Sequence, residues 1–315
     1  MRTKYFLNLI VMLSVLSASG CKKTDYIKPD VSTVDVSIIT PVSATCRAIV
    51  ITNGTSVISE KGICWNNEQS ASVSDFKTTE IKAEDVKNFS GNITGLLSNT
   101  TYYVRAYAVS PAGVTYGNEL SFTTPSDHSG EQGTVTDFEG NVYKTIGIGS
   151  QIWTAENMRA TLLNDGTEIT LGQCYRCWSF LSSPGYCWYD NYKPNQNTYG
   201  ALYNWYTVKS MKLCPSGWHM PCSDEWEVLT SYLGGSEVAG GKLIESGKSG
   251  FGALSGGYRG DLAAFINFGE TGAYWTSSSA SPEKAIYFSV GSDSQEITSE
   301  TFAIGWGASV RCIKN

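Results

Sequence analysis

The chain has 315 residues, with nine cysteines, nine tryptophans, 32 glycines, 17% charged side chains and a formal net charge of −6. That length suits about two domains on the usual prior of roughly 100–200 residues each, and sparse charge with abundant glycine and aromatics points to loop-rich β structure. No cluster of lysine and arginine occurs, so nucleic acid is not an expected partner.

The first twenty residues read as a targeting segment. Arg2 and Lys4 precede an apolar run from Tyr5 to Leu16. About a dozen residues fall short of the roughly 17–25 that span a bilayer. Ser17, Ala18, Ser19 and Gly20 then lead to Cys21. This resembles the box cut by lipoprotein signal peptidase, departing from it at Ala18, where leucine is usual. The expectation is removal of residues 1–20, lipidation of Cys21, a tether over 21–30, and an outer-membrane lipoprotein facing either the cell surface or the periplasm. Acyl chains contribute about 0.8 kcal/mol per buried CH₂, so an anchor of several chains holds durably. Cleavage leaves 21 basic and 29 acidic side chains. The remaining cysteines divide into Cys46 and Cys64, then Cys174, Cys177, Cys187, Cys214, Cys222 and Cys312. Both counts are even, as disulfide pairing in an oxidising compartment requires, though six cysteines allow fifteen connectivities.

Within residues 31–125, Val34–Ile38 and Cys46–Val50 alternate apolar and polar side chains, and Gly62–Trp65, Phe89–Ile93, Tyr102–Val109 and Val114–Phe122 are further candidate strands. Turn formers such as Asn53-Gly54 and Pro111-Ala112-Gly113 separate them, which predicts a β-sandwich. Leu96, Thr100, Tyr102 and Val104 have the spacing of the tyrosine corner of fibronectin type III domains. With Tyr102 inward, Val104, Ala106 and Ala108 also face the core, while Tyr103, Arg105 and Tyr107 face outward. KGICWN and YYVRAYAVSPAGVTYGNELSFTT resemble a fibronectin-like module of Bacteroidetes surface proteins, which implies a spacer or adhesion role. Cys46 and Cys64 fall on segments expected to neighbour one another, leaving a disulfide between them open.

Residues 126–133 are polar and rich in turn formers, so they read as a linker, with His128 in solvent. From 134 to 315 the texture changes. A hairpin turning at Glu139-Gly140-Asn141 is expected. Helices are expected from about Gly200 to Met211 and from about Ser223 to Leu233, the latter stopped by Gly234-Gly235. Strands follow at Tyr274–Ser277, Ala285–Val290 and Ala308–Ile313. The pieces DFEGNVYKTIGIGSQIWTAENM, YGALYNW, CPSGWHMPCSDEW, AGGKL, GFGALSGGYRG, YWTSS and ASVRCIKN resemble the Fibrobacter succinogenes major paralogous domain, in that order. The resemblance implies a C-type lectin-like α+β fold behind an all-β immunoglobulin or fibronectin III-like sandwich, and no established catalytic residues. In that fold a cysteine after the first helix commonly bridges to the last strand, which implies Cys214–Cys312; pairing of Cys214 with Cys222 is the alternative. Cys222 stands where the family has threonine or serine, so Ser223 is expected to cap the helix with Cys222 in a disulfide. CYRCW, from Cys174, looks like an insertion.

Catalytic and metal chemistry find little footing. Four thiolates from Cys174, Cys177, Cys187 and Cys222 lack the regular second CxxC of a zinc site. A thioredoxin-like role for Cys174 and Cys177 needs a βαβ setting that is not apparent. GGKLIESGKSG places Lys242 where a phosphate-binding loop needs glycine. His219 has no partnered nucleophile, and Asp190, Asn191, Asn195 and Asn197 lack calcium-loop spacing. No enzyme activity, cofactor or metal is therefore expected. Trp153, Trp205, Trp218 and Trp226 read as core. Trp275 and Trp306, with Tyr258, Arg259, Asp261 and Tyr287, form the expected ligand surface. The expected function is binding of a glycan or protein by a membrane-anchored lipoprotein, one variant being a receptor diversified in its last seventy residues. A structural part in a fimbria or envelope assembly is the alternative.

Overall fold

The computed structural model describes residues 26–55, 57–79 and 87–315. Residues 1–20, expected to be a targeting segment, and Cys21 lie outside the described residues. No helix among those described is long and apolar enough to cross a membrane.

The first module holds β1 (Asp30–Ser37), β2 (Ser43–Thr52), β3 (Glu60–Asn66), β4 (Phe76–Lys77), β5 (Asn88–Thr94), β6 (Thr101–Ser110), β7 (Gly113–Tyr116) and β8 (Leu120–Thr123). One sheet runs β1-β2-β5; the other runs β4-β3-β6-β7, with β8 also on β6, all pairs antiparallel. Alternation fixes which side chains enter the space between them. Cys46, Ala48 and Val50 of β2 meet Ile63, Trp65, Val104, Ala106 and Ala108 of the second sheet. Each large apolar side chain buried this way contributes roughly 1.5–3 kcal/mol. The tyrosine corner is present: Tyr102 is buried and its hydroxyl accepts the Leu97 amide at 3.0 Å.

Three expectations for this module need correction. The Val34–Ile38 alternation is broken by a register shift between Thr33 and Asp35, so Val31 and Thr33 are buried while Val34 is exposed. A bulge moves the following side chains to the other face. Tyr107 is fully buried rather than facing solvent. Residues 66–79 fold over the outer face of β3 and β6, enclosing Tyr107 with Cys64 and Ala71. Its hydroxyl donates to the Glu60 carboxylate at 2.6 Å, with the Thr78 carbonyl at 2.7 Å. Finally, Cys46 and Cys64 are unpaired. They lie on different sheets, Cys46 in the core between the sheets and Cys64 under the outer cover. Burial pushes their thiols up to about 12 and about 11.

The second module holds β9 (Gln132–Thr136), β10 (Val142–Ile148), β11 (Gln151–Thr154), β12 (Thr170–Leu171), α1 (Tyr175–Ser179), β13 (Gly185–Cys187), α2 (Gln196–Tyr199), β14 (Leu202–Asn204) and α3 (Trp205–Lys209). It continues through β15 (Trp218–His219), α4 (Ser223–Tyr232), α5 (Ser236–Leu243), β16 (Gly256–Arg259), β17 (Phe265–Phe268), β18 (Thr271–Ser281), β19 (Lys284–Gly291) and β20 (Ile297–Ala303) to β21 (Gly307–Ala308) and β22 (Ile313–Lys314). One sheet has the order β15-β22-β11-β10-β9; the larger runs β12-β13-β14-β21-β16-β18-β19-β20, with β17 beside β16. Alternation along β18 and β19 feeds two cores. Trp275 and Tyr287 enter one, while Tyr274 and Phe288 enter the other with Trp153, Trp226 and Leu229. Of the four tryptophans read as core, Trp153, Trp205 and Trp226 are buried and Trp218 is half-buried.

The hairpin between β9 and β10 turns at the expected residues. The stretch before it is tied down: His128 and Gly130 donate amide bonds to Gly149 and Gly147, and Ser129 meets the Tyr232 hydroxyl at 2.7 Å. The helix expected over 200–211 is replaced by β14 and the five-residue α3. Leu202–Asn204 pairs with Tyr186 and Cys187 on one side and with Gly307 and Ala308 on the other. The strand expected over Ala308–Ile313 is likewise broken: Ser309 makes an isolated bridge with Tyr274, and Val310 and Arg311 are buried outside any strand.

Candidate functional site

Cys214 and Cys312 are joined by a disulfide, and so are Cys174 and Cys177. Cys187 and Cys222 are free. The expected disulfide at Cys222 is therefore corrected: the residue remains the N-cap of α4, its amide donating to the Glu225 carboxylate at 2.8 Å. The Ser223 hydroxyl turns to Ser278 instead.

The expected ligand residues divide across strand β16, whose successive side chains point to opposite faces. Tyr258 points to one side and packs parallel to Trp306, centroids 5.9 Å apart and planes 9° apart. Phe302, which the sequence reading missed, lies against both, at 4.8 Å from Tyr258 and 4.6 Å from Trp306. Tyr287 stacks on Phe302, and Trp275 meets Phe302 edge-on at 5.7 Å. Four of the six residues thus share one aromatic cluster. Only Tyr258 and Trp306 among them are half-exposed, whereas Tyr287 and Trp275 are buried, which corrects their reading as contact residues. We refer to the Tyr258–Trp306 surface as the shelf.

Glu300 gives the shelf a polar edge. On β20, Thr298, Glu300 and Phe302 share a face, and the Tyr287 hydroxyl donates to Glu300 at 3.1 Å. Burial first, then the Glu300 charge, raises the Tyr258 and Tyr287 hydroxyls above the ordinary tyrosine range, so both remain protonated donors. The alternation of Glu300, Phe302 and Ile304 in ETFAIGW was the available signal for these positions.

Arg259 is not a ligand contact. It is 1% exposed, and its guanidinium donates to the carbonyls of Gly172 and Ala263 while lying 4.7 Å from the Trp178 ring. Gly307 admits that packing, because a Cβ there would sit 2.8 Å from the Trp178 ring. Asp261 begins a short 3₁₀ turn beside it; its side chain lies outside what is described. A second missed residue is Arg311, with no exposure. It donates to Asn157 Oδ1 and to the carbonyls of Thr154, Phe251 and Gly252 at 2.6–2.9 Å.

His219 is engaged at both nitrogens, by Glu225 at Nε2 and Asn315 at Nδ1, each at 2.7 Å. Among the described residues no group of three or more His, Cys, Asp or Glu side chains could hold a metal. In the polar loop 190–197, the Asn195 amide donates to the Tyr189 carbonyl. A cleft of about 680 Å³ lies elsewhere, walled by Ile146, Ile148, Tyr232 and Leu233 with Lys242 and Lys248. Lys242 donates to the Leu233 carbonyl at the end of α4, a helix-capping contact. None of the expected ligand residues lines this cleft.

No curated protein matches the sequence. Among solved structures, the sensor domain of the anti-sigma factor RsgI4 in Pseudobacteroides cellulosolvens is 18% identical. That likeness covers 34% of this chain and 99% of that one, with a TM-score of 0.26. The sixth fibronectin type III domain of human fibronectin type III domain containing protein 3 is 22% identical, covering 34% and 95% at a TM-score of 0.25. At such scores neither likeness carries an argument. The model of the Fibrobacter succinogenes major domain matches residues 146–314, from within β10 to the end of β22. That match takes in more than half of the chain, and with it the shelf, Arg259 and Arg311: the chain belongs to the Fibrobacter succinogenes major domain family.

Proposed function

We propose that this protein is a membrane-anchored extracytoplasmic binding lipoprotein. Its second module, read as C-type lectin-like, takes a glycan on the Tyr258–Trp306 shelf, and the sandwich holds it away from the lipid at Cys21. The observation that carries the reading is the pair of parallel, half-exposed rings beside a carboxylate. Aromatic faces accept the apolar C–H face of a sugar ring, and Glu300 accepts hydroxyl donors at its rim. Phe302 and Tyr287 hold the rings from beneath, so little side-chain freedom is lost on binding. The reading assigns binding rather than turnover, and His219, held at both nitrogens, supports that choice.

The test is a glycan array probed with the soluble chain lacking residues 1–21, beside Trp306→Ala and Tyr258→Ala. The expected outcome is retention of one saccharide class, weakened at least about tenfold by either substitution, equivalent to about 1.4 kcal/mol. Binding that survives both substitutions, or no saccharide bound, overturns the shelf as a glycan site.

A further inference from the structure

The two disulfides differ in exposure and in the length of chain each closes. Cys214 and Cys312 are buried, at 1% and 0% exposure, and their bond spans a sequence separation of 98. Cys174 and Cys177 are both exposed, and their bond spans a separation of 3. Constraint of the unfolded chain grows with the loop closed, so the short bridge adds the smaller share of stability. Its surroundings are also held without it. Trp178, the next residue, is buried with Cys187 and Leu202, and its ring lies against Arg259, Gly172 and Gly307. That anchor fixes α1 whether or not the bridge is closed.

We propose that Cys174 and Cys177 form a thiol–disulfide exchange site that accepts electrons from a protein or peptide dithiol. The Cys177 amide donates to Cys174 Sγ at 2.9 Å, which favours negative charge on that sulfur. Cys174 is therefore the leaving thiolate. A partner thiolate attacks Cys177 Sγ, forming a mixed disulfide as the Cys174–Cys177 bond breaks. The partner's second thiol, deprotonated, attacks its own sulfur in that mixed disulfide and releases the Cys177 thiolate. The partner leaves as a disulfide, and Cys174 and Cys177 take up its two protons and two electrons. Tyr175, 49% exposed, and Phe180, 77% exposed, flank the bridge and offer apolar contact to an extended peptide. The free thiols do not compete: Cys46, Cys64 and Cys187 are buried, and burial raises Cys187 to about 11. Among the described free thiols, Cys222 alone is half-exposed.

The test uses the folded chain lacking residues 1–21, with Cys222 first blocked by N-ethylmaleimide. It is equilibrated with graded dithiothreitol, alkylated with a second reagent and mapped by peptide mass. Cys174 and Cys177 are expected to label together at dithiothreitol concentrations at least tenfold below those that open Cys214–Cys312, with circular dichroism unchanged. Opening of both bridges together, or only on unfolding, overturns the proposal. A reduced two-cysteine peptide should be oxidised at least tenfold faster than by glutathione disulfide at equal concentration; an equal or slower rate overturns it. With glutathione alone, the trapped adduct is expected on Cys177, and an adduct on Cys174 refutes the assigned leaving group.

Discussion

Between the sheets of the sandwich, the buried side chains of β2, β3, β5 and β6 are apolar apart from Lys61, whose ammonium lies over the Phe89 ring at 5.0 Å, and strands of seven to ten residues pair along their length. In the second module several strands are two or three residues long, and two arginines lie at 1% exposure or less. The difference follows from where backbone polar groups find partners. A long ladder satisfies its own amides and carbonyls, so the side chains need only be apolar. Short strands and loops leave buried carbonyls unpaired, and side chains must donate to them. Arg259 does this for Gly172 and Ala263, and Arg311 for Thr154, Phe251 and Gly252. In the opposite sense, Asn204 Oδ1 and Thr207 Oγ1 accept from the buried Gly185 amide.

The comparison can be broken most forcefully at the covalent tie. Cys214→Ala with Cys312→Ala should lower the stability of the second module by up to about 4–5 kcal/mol on the chain-entropy account. The sandwich transition should stay in place when the two are followed separately in urea, and a joint shift would show that the modules unfold as one. Next in size, Arg311→Met should cost about 3 kcal/mol or more, because it leaves buried acceptors without donors. Arg47→Ala, which removes an exposed, solvent-screened pair with Asp35 in the sandwich, should cost far less than Arg311→Met in the same measurement. Equal losses would remove the distinction drawn between the modules.

An effect read through its pH dependence sharpens the comparison from the sandwich side. Tyr107→Phe should cost about 1 kcal/mol at pH 7, as expected for one neutral donor lost. Hydrogen bonds from Lys77, then Tyr107, hold the Glu60 carboxyl below the usual range. Its contribution is therefore complete above the ordinary glutamate value, about 4.3, and is lost as pH falls through the depressed one. The gap between the wild type and Tyr107→Phe should narrow from pH 7 to pH 3 in urea titrations. A gap that widens would place the bond elsewhere.

What could be read from the sequence followed local rules. Tyr102 sits in its corner because a strand and one turn suffice to place it, and α4 lies where Trp226, Leu229 and Leu233 mark a helical face. Tyr107 could not be read, because strand alternation says only that it leaves the inner face. Residues 66–79, distant in sequence from β6, decide that it is covered. Leu202, Trp205 and Tyr206 have helical spacing, yet β13 and β21 draw Leu202–Asn204 into a sheet, so tertiary pairing overrides local preference. Arg259 and Arg311 look like surface charges in glycine-rich stretches. Only the path of distant carbonyls shows that they are internal donors. Tyr258 and Trp306 were recognised as surface aromatics, whereas Phe302, which seats them, needed the β19–β20 register.

The places of β21 and β22 bear on how the molecule is made. Neither is an edge: β21 lies between β14 and β16, and β22 between β15 and β11. During synthesis the sandwich has all its strands as soon as residue 123 is free. The second module must wait nearly two hundred residues longer, with the partners of β21 and β22 unpaired and Cys214 a reduced thiol. Under the export we propose, that delay is useful, since a module that cannot close early remains threadable through a translocation channel. It also makes premature termination conspicuous, because a product lacking residues 307–314 exposes two open strand channels and no means of sealing them.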